Sequence, residues 1–402
     1  MRNFTVPTPF TPEFIDQLAT LNREFADSGG QIFELYGSFQ EGLFNSARPA
    51  KYLPAITRQQ FQEHVAQARV HGIRFNYLLN SPSYSNMEYT HEGRQELAGL
   101  LAFLVESGVA SVTVAVPYLV EIISRAFPQL EVVVSTIGYV GALAGIDQYR
   151  EAGAARIVLD MEANRDFHFL RIACEQSTVP LEVIVNPVCL CQCHFKYNHN
   201  CVAALGSQRL VPGEVGMAYN QYYLNWCYLR KLTHESEFLK SPWIRPEDQY
   251  LWEEAGISYF KIAGRGLPGN EILRLCRSYL AQSFTGNLLE LLGWPHWLAF
   301  SDNGDGTRLP PLEVVLDNAS LDGFLAFFAR TTPNCRLGCQ RCGHCQAWSR
   351  KALRFSDQEL RKQYIANMDR NLQHLVEHIP TTEETQKARE QWQQQAKRQV
   401  LK

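Results

Sequence analysis

Residues Tyr259–Ala263 read YFKIA, a short apolar run between AGIS and Gly264-Arg265. Its length, its aromatics and the glycines on either side mark a buried strand. Comparable runs lie upstream at Leu181–Asn186 (LEVIVN), Arg156–Asp160 (RIVLD), Glu131–Ser135 (EVVVS), Ser111–Val116 (SVTVAV), Arg74–Leu79 (RFNYLL), Gln31–Tyr36 (QIFELY) and Phe4–Val6. Helical patterns near 12–27, 57–71, 92–107, 117–127, 141–152 and 164–176 separate them. One more helix runs from Pro246 to about Gly256, with Glu247 and Asp248 suiting its N-terminus. Near-continuous apolar strands alternating with helices point to a parallel sheet covered on both faces. Eight such units predict an α/β fold of the TIM-type (β/α)8 barrel, with a doubly wound sheet as the alternative.

Between the seventh and eighth strands lies an insertion, about 187–245, rich in Cys, His, Asn and Tyr and with little clear periodicity. The expected organisation is a barrel domain over 1–290 that carries this Cys-rich insertion, then a C-terminal extension over 291–402. From about 266 to 330 the pattern is helical and then mixed, and GDGTRLPP (304–311) reads as a loop. The charged, Gln-rich tail from about 356 reads as a solvated helix. With 38 basic and 41 acidic residues the net charge is −3, which excludes a strongly basic nucleic-acid binder but leaves a local RNA-binding patch open. Apolar residues make up 46% and charged residues 20%, values of a soluble globular chain rather than a disordered one. MRNFTVPTPF has no run of signal-peptide length, and Leu97–Ile123 is broken by Glu106, Ser107, Gly108, Pro117 and Glu121. No membrane span and a cytoplasmic address are therefore expected.

Eleven cysteines are many for such a chain, and nine of them are clustered. Cys174 and Cys276 stand alone on apolar helical patterns. The first cluster, NPVCLCQCHFKYNHNC, follows the seventh strand directly and so opens onto the catalytic face of a barrel. Cys189 and Cys193 are four apart and can converge in a turn, whereas Cys191 points elsewhere. Cys227 arrives from the far end of the insertion, and Cys201 competes as a further ligand. An iron–sulfur cluster, a zinc ion and free redox thiols all suit these residues. The second cluster, NCRLGCQRCGHC, holds Cys335, Cys339, Cys342 and Cys345. Its C-x3-C-x2-C spacing is that of radical S-adenosylmethionine enzymes, but it lies far past the barrel and has Arg341 where an aromatic is expected. These four thiols can bind zinc or a second cluster, or donate a ligand to the first site, and Arg336 and Arg341 offset thiolate charge.

Strand residues Glu34, Asp160 and Glu182 are either acid–base groups or buried carboxylates paired with Lys261 or Arg265. Lys261 and Arg265, at and just past the last strand, suit an anionic substrate group or an ion pair, and Arg48 has the same two readings or a plain surface role. His194, Lys196, Tyr197 and His199 lie within the first cluster, where they ligate, donate protons or cover a metal. Tyr36, Tyr77, Tyr84 and Tyr139 line an aromatic pocket or pack. There is no serine elbow, no His-Glu-x-x-His helix and no phosphate-cradling glycine loop, which weighs against a simple hydrolase.

Three segments resemble the collagenase-like peptidase family U32: ELYGSF with the following Arg48-Pro49; EVIVNPVCLCQCHFKYNHN; and SPWIRPEDQY with AGISYFKIAGR, the most specific of the three. The resemblance covers about residues 30–290. It implies a TIM barrel. Some members of the family are peptidases; others are tied to iron–sulfur clusters and oxygen-independent hydroxylation in ubiquinone biosynthesis or on RNA. It makes Cys189, Cys193 and Cys227 the candidate ligands of a cluster, expected as 4Fe-4S, with Cys201 or a distal thiol fourth. The chain departs from the family in its compressed cysteine spacing and its extra knot at 335–345. The expected function is iron–sulfur-dependent hydroxylation or a related redox modification of a small molecule or RNA, aided by a protein partner or electron donor. A peptidase and a non-catalytic metal-bearing partner are the alternatives. Glu34, Lys261 and Arg265 are the candidate catalytic residues.

Overall fold

The computed structural model describes residues 1–39, 42, 44–48, 53–205, 213–294, 297–298, 308–331, 333, 335, 338–377, 381 and 383, with the backbone alone at 205, 213–221, 297–298 and 340. Eight parallel strands close into a barrel in chain order. They are β1 (Arg2–Pro7), β2 (Gly30–Gly37), β3 (Arg74–Leu79), β4 (Ser111–Val114), β5 (Glu131–Val134), β6 (Arg156–Val158), β7 (Leu181–Ile184) and β8 (Tyr259–Lys261). β1 pairs with both β2 and β8, so the TIM-type expectation holds and the doubly wound alternative falls. Helices α1 (Pro12–Glu24), α2 (Arg58–Val70), α3 (His91–Glu106), α4 (Pro117–Ala126), α5 (Leu143–Glu151) and α6 (Phe167–Gln176) each follow their strand. Local chemistry sets their starts. Pro12 and Pro117 open α1 and α4 with a preset φ. Thr57 and Gln60 form a reciprocal capping box on α2, and the Asp166 carboxylate accepts the Phe169 N–H at 3.0 Å.

Alternation along the strands sorts the interior. Phe4, Val6, Val112, Val114, Val183 and Val185 join the core between barrel and helices. Val133, Val158 and Ile184 form a small separate cluster within the barrel. Many of the other inward positions are polar, among them Thr5, Glu34, Asn76, Ser111, Thr113, Arg156, Glu182 and Lys261, all buried. A bulge in β2 sets one of them. The pairing passes from Phe4↔Ile32 to Thr5↔Glu34, so Phe33 is the extra residue and Glu34 turns inward. Asn22 of α1 satisfies the backbone beside the bulge, accepting from Ile32 N at 2.6 Å and donating to Ile32 O at 3.0 Å.

The insertion, read from the sequence as a stretch of little clear periodicity, is helical: α7 (Lys196–Leu205), α8 (Gly213–Thr233) and α9 (Ser236–Lys240) precede the barrel helix α10 (Tyr250–Glu254). α8 contacts α7, α9 and the C-terminal part of the chain, and its sequence shows no single apolar stripe. After α11 (Gly269–Ala281) the chain forms a second sheet that the sequence pattern does not reveal. It consists of β9 (Trp297–Leu298), β10 (Leu312–Leu316) and β11 (Leu353–Phe355), antiparallel, with β10 central. Helices α12 (Ala326–Thr331), α13 (Cys339–Cys342), α14 (His344–Ala352) and α15 (Gln358–Glu377) complete the described chain. Residues 304–307 of the expected 304–311 loop, and the tail beyond 377 apart from 381 and 383, lie outside the described residues. No helix among the described residues is long and apolar enough to cross a membrane.

Candidate active site

The rings of Phe33 and Tyr259 lie 5.7 and 5.2 Å from the Arg156 guanidinium at the N-terminal end of the barrel. Arg156 is ion-paired to Glu34 and, through Nε at 3.3 Å, to Glu182. Glu34 also accepts from Ser111 Oγ at 2.7 Å and Asn76 Nδ2 at 3.1 Å, and Thr113 Oγ1 donates to Asn76 Oδ1 at 2.7 Å. Burial works to raise the Glu34 pKa, but Arg156, Ser111, Lys261 and Asn76 together hold it below the usual carboxylate range. Both Glu34 oxygens are engaged within this network. The expected partners of the other two carboxylates change as well. Glu182 pairs with Arg156 rather than Lys261 or Arg265, and Asp160 pairs with Lys196 at 2.8 Å. The reason is reach: Arg156 opens β6 pointing inward, and Lys196 crosses back from the insertion.

Toward the C-terminal mouth the chemistry becomes cationic. Lys261 ends β8, and its Nζ stands 4.1 Å from the centre of the Tyr36 ring. The Nζ is buried and has no hydrogen-bond partner among the described residues. Burial drives its pKa down; Glu182 and Glu34 oppose this, and Arg156 and Arg265 add to it. The Tyr36 hydroxyl donates to Ile262 O at 2.9 Å, which fixes the ring. Arg265 donates to Ser46 Oγ at 2.9 Å and forms no ion pair with a carboxylate among the described residues. Burial and the neighbouring Arg48 lower its pKa to about 10. Arg48 approaches the same strand end so closely that a Cβ on Gly266 would stand 2.4 Å from its Nη2. Two guanidiniums and a buried amine thus gather where barrel enzymes place their chemistry.

The first cysteine cluster lies in the loop after β7. Lys231, Cys193 and Glu162 are among the charged groups acting on Cys189, and Lys231, Cys189 and Cys193 are among those acting on Cys227. The structure therefore brings Cys189, Cys193 and Cys227 into one neighbourhood from two distant segments. Burial pushes the Cys193 thiol pKa up, and the backbone N–H groups of Phe195 and Lys196 partly offset this; the Lys196 N–H donates to the Cys193 carbonyl at 3.1 Å. Lys231, buried in α8, donates to Ser241 Oγ at 2.6 Å and to Glu237 O at 3.1 Å. Cys191 turns away, its thiol 3.6 Å from Glu162 Oε2, as its alternate position in the sequence suggests. Cys201 does not join the three; it lies beside Tyr197 and Tyr139. His194 packs edge-on to Trp226 at 4.8 Å, and His199 stacks on Tyr223 at 5.4 Å. The donor set suits a thiophilic metal, yet no three His, Cys, Asp or Glu side chains among the described residues converge on one point at ligand geometry.

The sequence model of peptidase family U32 matches residues 44–282, more than half of the chain. The chain belongs to peptidase family U32. It is 28% identical over 340 residues to the "Uncharacterized protease MJ1657" of Methanocaldococcus jannaschii, a match that spans 85% of this chain and 93% of that one. The solved structure of the U32 peptidase Mk0906 aligns with 67% of this U32 chain and 94% of its own, with a TM-score of 0.46 and 18% identity.

Several residues of this U32 site escape a reading of the sequence. Arg156, at the head of a strand, looks like a solvent-facing end residue. Ser111 and Asn76 look like strand fillers. Lys231 sits in a segment without periodicity. Their roles depend on partners up to 122 positions away, as between Arg156 and Glu34, and no local pattern signals such a pair. Period-two alternation in β2 is the hint the sequence offers, since it puts Glu34 and Tyr36 on one face; the bulge that turns this face inward is seen only in the structure.

Proposed function

We propose that this U32 chain is an enzyme of the peptidase type that works at the C-terminal mouth of its barrel. Lys261 is the proton acceptor, and Arg265 with Arg48 binds the carbonyl or carboxylate oxygen of the substrate. One observation carries the reading: a buried amine without a hydrogen-bond acceptor among the described residues, beside two guanidiniums of which Arg265 has no carboxylate partner there. A buried lysine whose pKa is depressed is available as a base nearer to neutral pH. Guanidiniums in a dry cleft stabilise an oxyanion far better than water does. Water would lose a proton to Lys261 Nζ as it attacks the peptide carbonyl, and that proton would pass to the leaving amine. Family membership and the protease relative support the same class. Incubating purified chain with denatured collagen and peptide libraries, read by mass spectrometry, should show new termini; intact substrates across the set would sink the proposal.

A second reading rests on the grouping of Cys189, Cys193 and Cys227. Soft thiolates and the buried Lys231 suit an iron–sulfur cluster, which would supply one-electron chemistry at the mouth for hydroxylation or another redox modification of a small molecule or RNA. The residues' own parts would be ligation by the three thiols and charge balance by Lys231. Anaerobically purified chain should then be coloured and give a paramagnetic signal on reduction that is absent from Cys193→Ser. Colourless material without that signal would reject this reading.

A further inference from the structure

A second thiol group lies near a buried arginine. Burial first, and then the nearness of Cys339, Cys335 and Cys342, push the Cys345 thiol pKa up, and burial, Cys339 and Cys342 do the same for Cys335. Arg165, 8% exposed, stands near Cys345 and Cys335, and near Cys191 of the loop after β7. Its guanidinium donates to Leu239 O and, at 3.2 Å, to Trp243 O. It lies 4.8, 5.0 and 5.2 Å from the ring centres of Trp243, Phe328 and Phe324. Its Nε has no hydrogen-bond partner, and among the described residues it forms no ion pair.

A guanidinium stays charged at any physiological pH, so burying it among rings is unfavourable unless negative charge stands nearby. The carboxylate that it senses, Asp248, is already held by Arg245 at 3.4 Å. Ahead of Asp248 it senses Cys345, Cys191 and Cys335. Neutral thiols do not supply the missing charge, but thiolates fixed by a metal do.

We propose that Cys335, Cys339, Cys342 and Cys345 hold a thiophilic metal centre whose negative charge neutralises Arg165. Four thiolates around Zn²⁺, or around a 4Fe-4S core of charge +2, leave the same net charge of about −2. The two therefore share one chemistry, and the metal found separates them. Binding releases the thiol protons to solvent. Cys339 and Cys342 occupy one helical turn three positions apart, and Gly338 and Gly343 on either side have φ of 125° and 65°, which lets the chain reverse at both ends. Because no three side chains there converge at ligand geometry, metal entry has to draw the exposed Cys335 and Cys342 toward Cys339 and Cys345. The centre would fasten the C-terminal extension to the insertion, whose helix α9 packs on α14. It does not depend on which reaction runs at the mouth.

The test is metal and acid-labile sulfide analysis of the full chain, purified without oxygen. Three forms are compared: wild type, Cys339→Ser/Cys342→Ser, and Cys189→Ser/Cys193→Ser/Cys227→Ser. The expected result is one centre retained by the triple variant and lost from the double variant. Zinc without sulfide, or iron with sulfide, supports the proposal and identifies the metal. Should the double variant not fold, alkylation of wild type decides. Native Cys335, Cys339, Cys342 and Cys345 should react about tenfold more slowly than after a strong chelator. Equal alkylation rates with and without chelator, or a metal content unchanged by Cys339→Ser/Cys342→Ser, would overturn it.

Discussion

Arg156→Met is expected to lower the unfolding free energy by about 3–5 kcal/mol, the usual result of stripping one partner from a buried ion pair. The guanidinium is buried and answers two buried carboxylates at once, Glu34 and Glu182. Ser111 and Asn76 donate to Glu34 alone, so Glu182 is left with no donor of its own in the network. The sign of the pH dependence follows. In the wild type the Glu34 pKa lies below its ordinary value, so its contribution is present at neutral pH and declines as pH falls through that depressed pKa. In the variant the burial of Glu34 is no longer offset by its main cationic partner, so its pKa rises, and its penalty is greatest at high pH and fades as it protonates. Urea unfolding of both proteins should therefore show a gap that narrows between about pH 8 and pH 5. A gap below about 1 kcal/mol at neutral pH, or one that widens in acid, would show that Arg156 does not hold the interior together.

Lys261→Met should reduce peptide turnover by about 10²–10⁴-fold, the range for loss of a positioned acid–base group. The fold should survive, because methionine fills similar volume and removes a buried amine that has no hydrogen-bond partner among the described residues. Two further readouts separate a base from a merely structural lysine. Wild-type activity should rise with pH as Nζ loses its proton, through a pKa that burial places below the ordinary 10.5. Lys261→Arg should not rescue activity, since arginine keeps the charge but cannot accept the proton. Rescue by arginine, or a pH profile unchanged by either substitution, would remove Lys261 from the reaction and leave it a partner of Glu182 and Tyr36.

Much of this was open to a reader of the chain alone. The spacing of eight apolar runs, the six helical patterns between them and the position of the insertion after the seventh strand are all encoded within windows of a few residues. The grouping of Cys189 with Cys193 and the exclusion of Cys191 follow from a turn and from alternation in the same way. The rest is not local. The second sheet pairs Leu312–Leu316 with Leu353–Phe355 across a helical stretch, so neither strand signals its partner. Insertion helix α8 shows no stripe in its sequence, and its contacts with α7, α9 and α15 appear only in the structure.

Local order is written in periodicity and end residues, and those set the strand count and made the barrel the first of two topologies; the pairing of β1 with β8 decided between them. The assignment of each charge to its partner waited on folding. Whether Glu34 meets Arg156 or Lys261, and which thiols stand near Arg165, depends on strand register and helix docking, which bring together residues scores of positions apart.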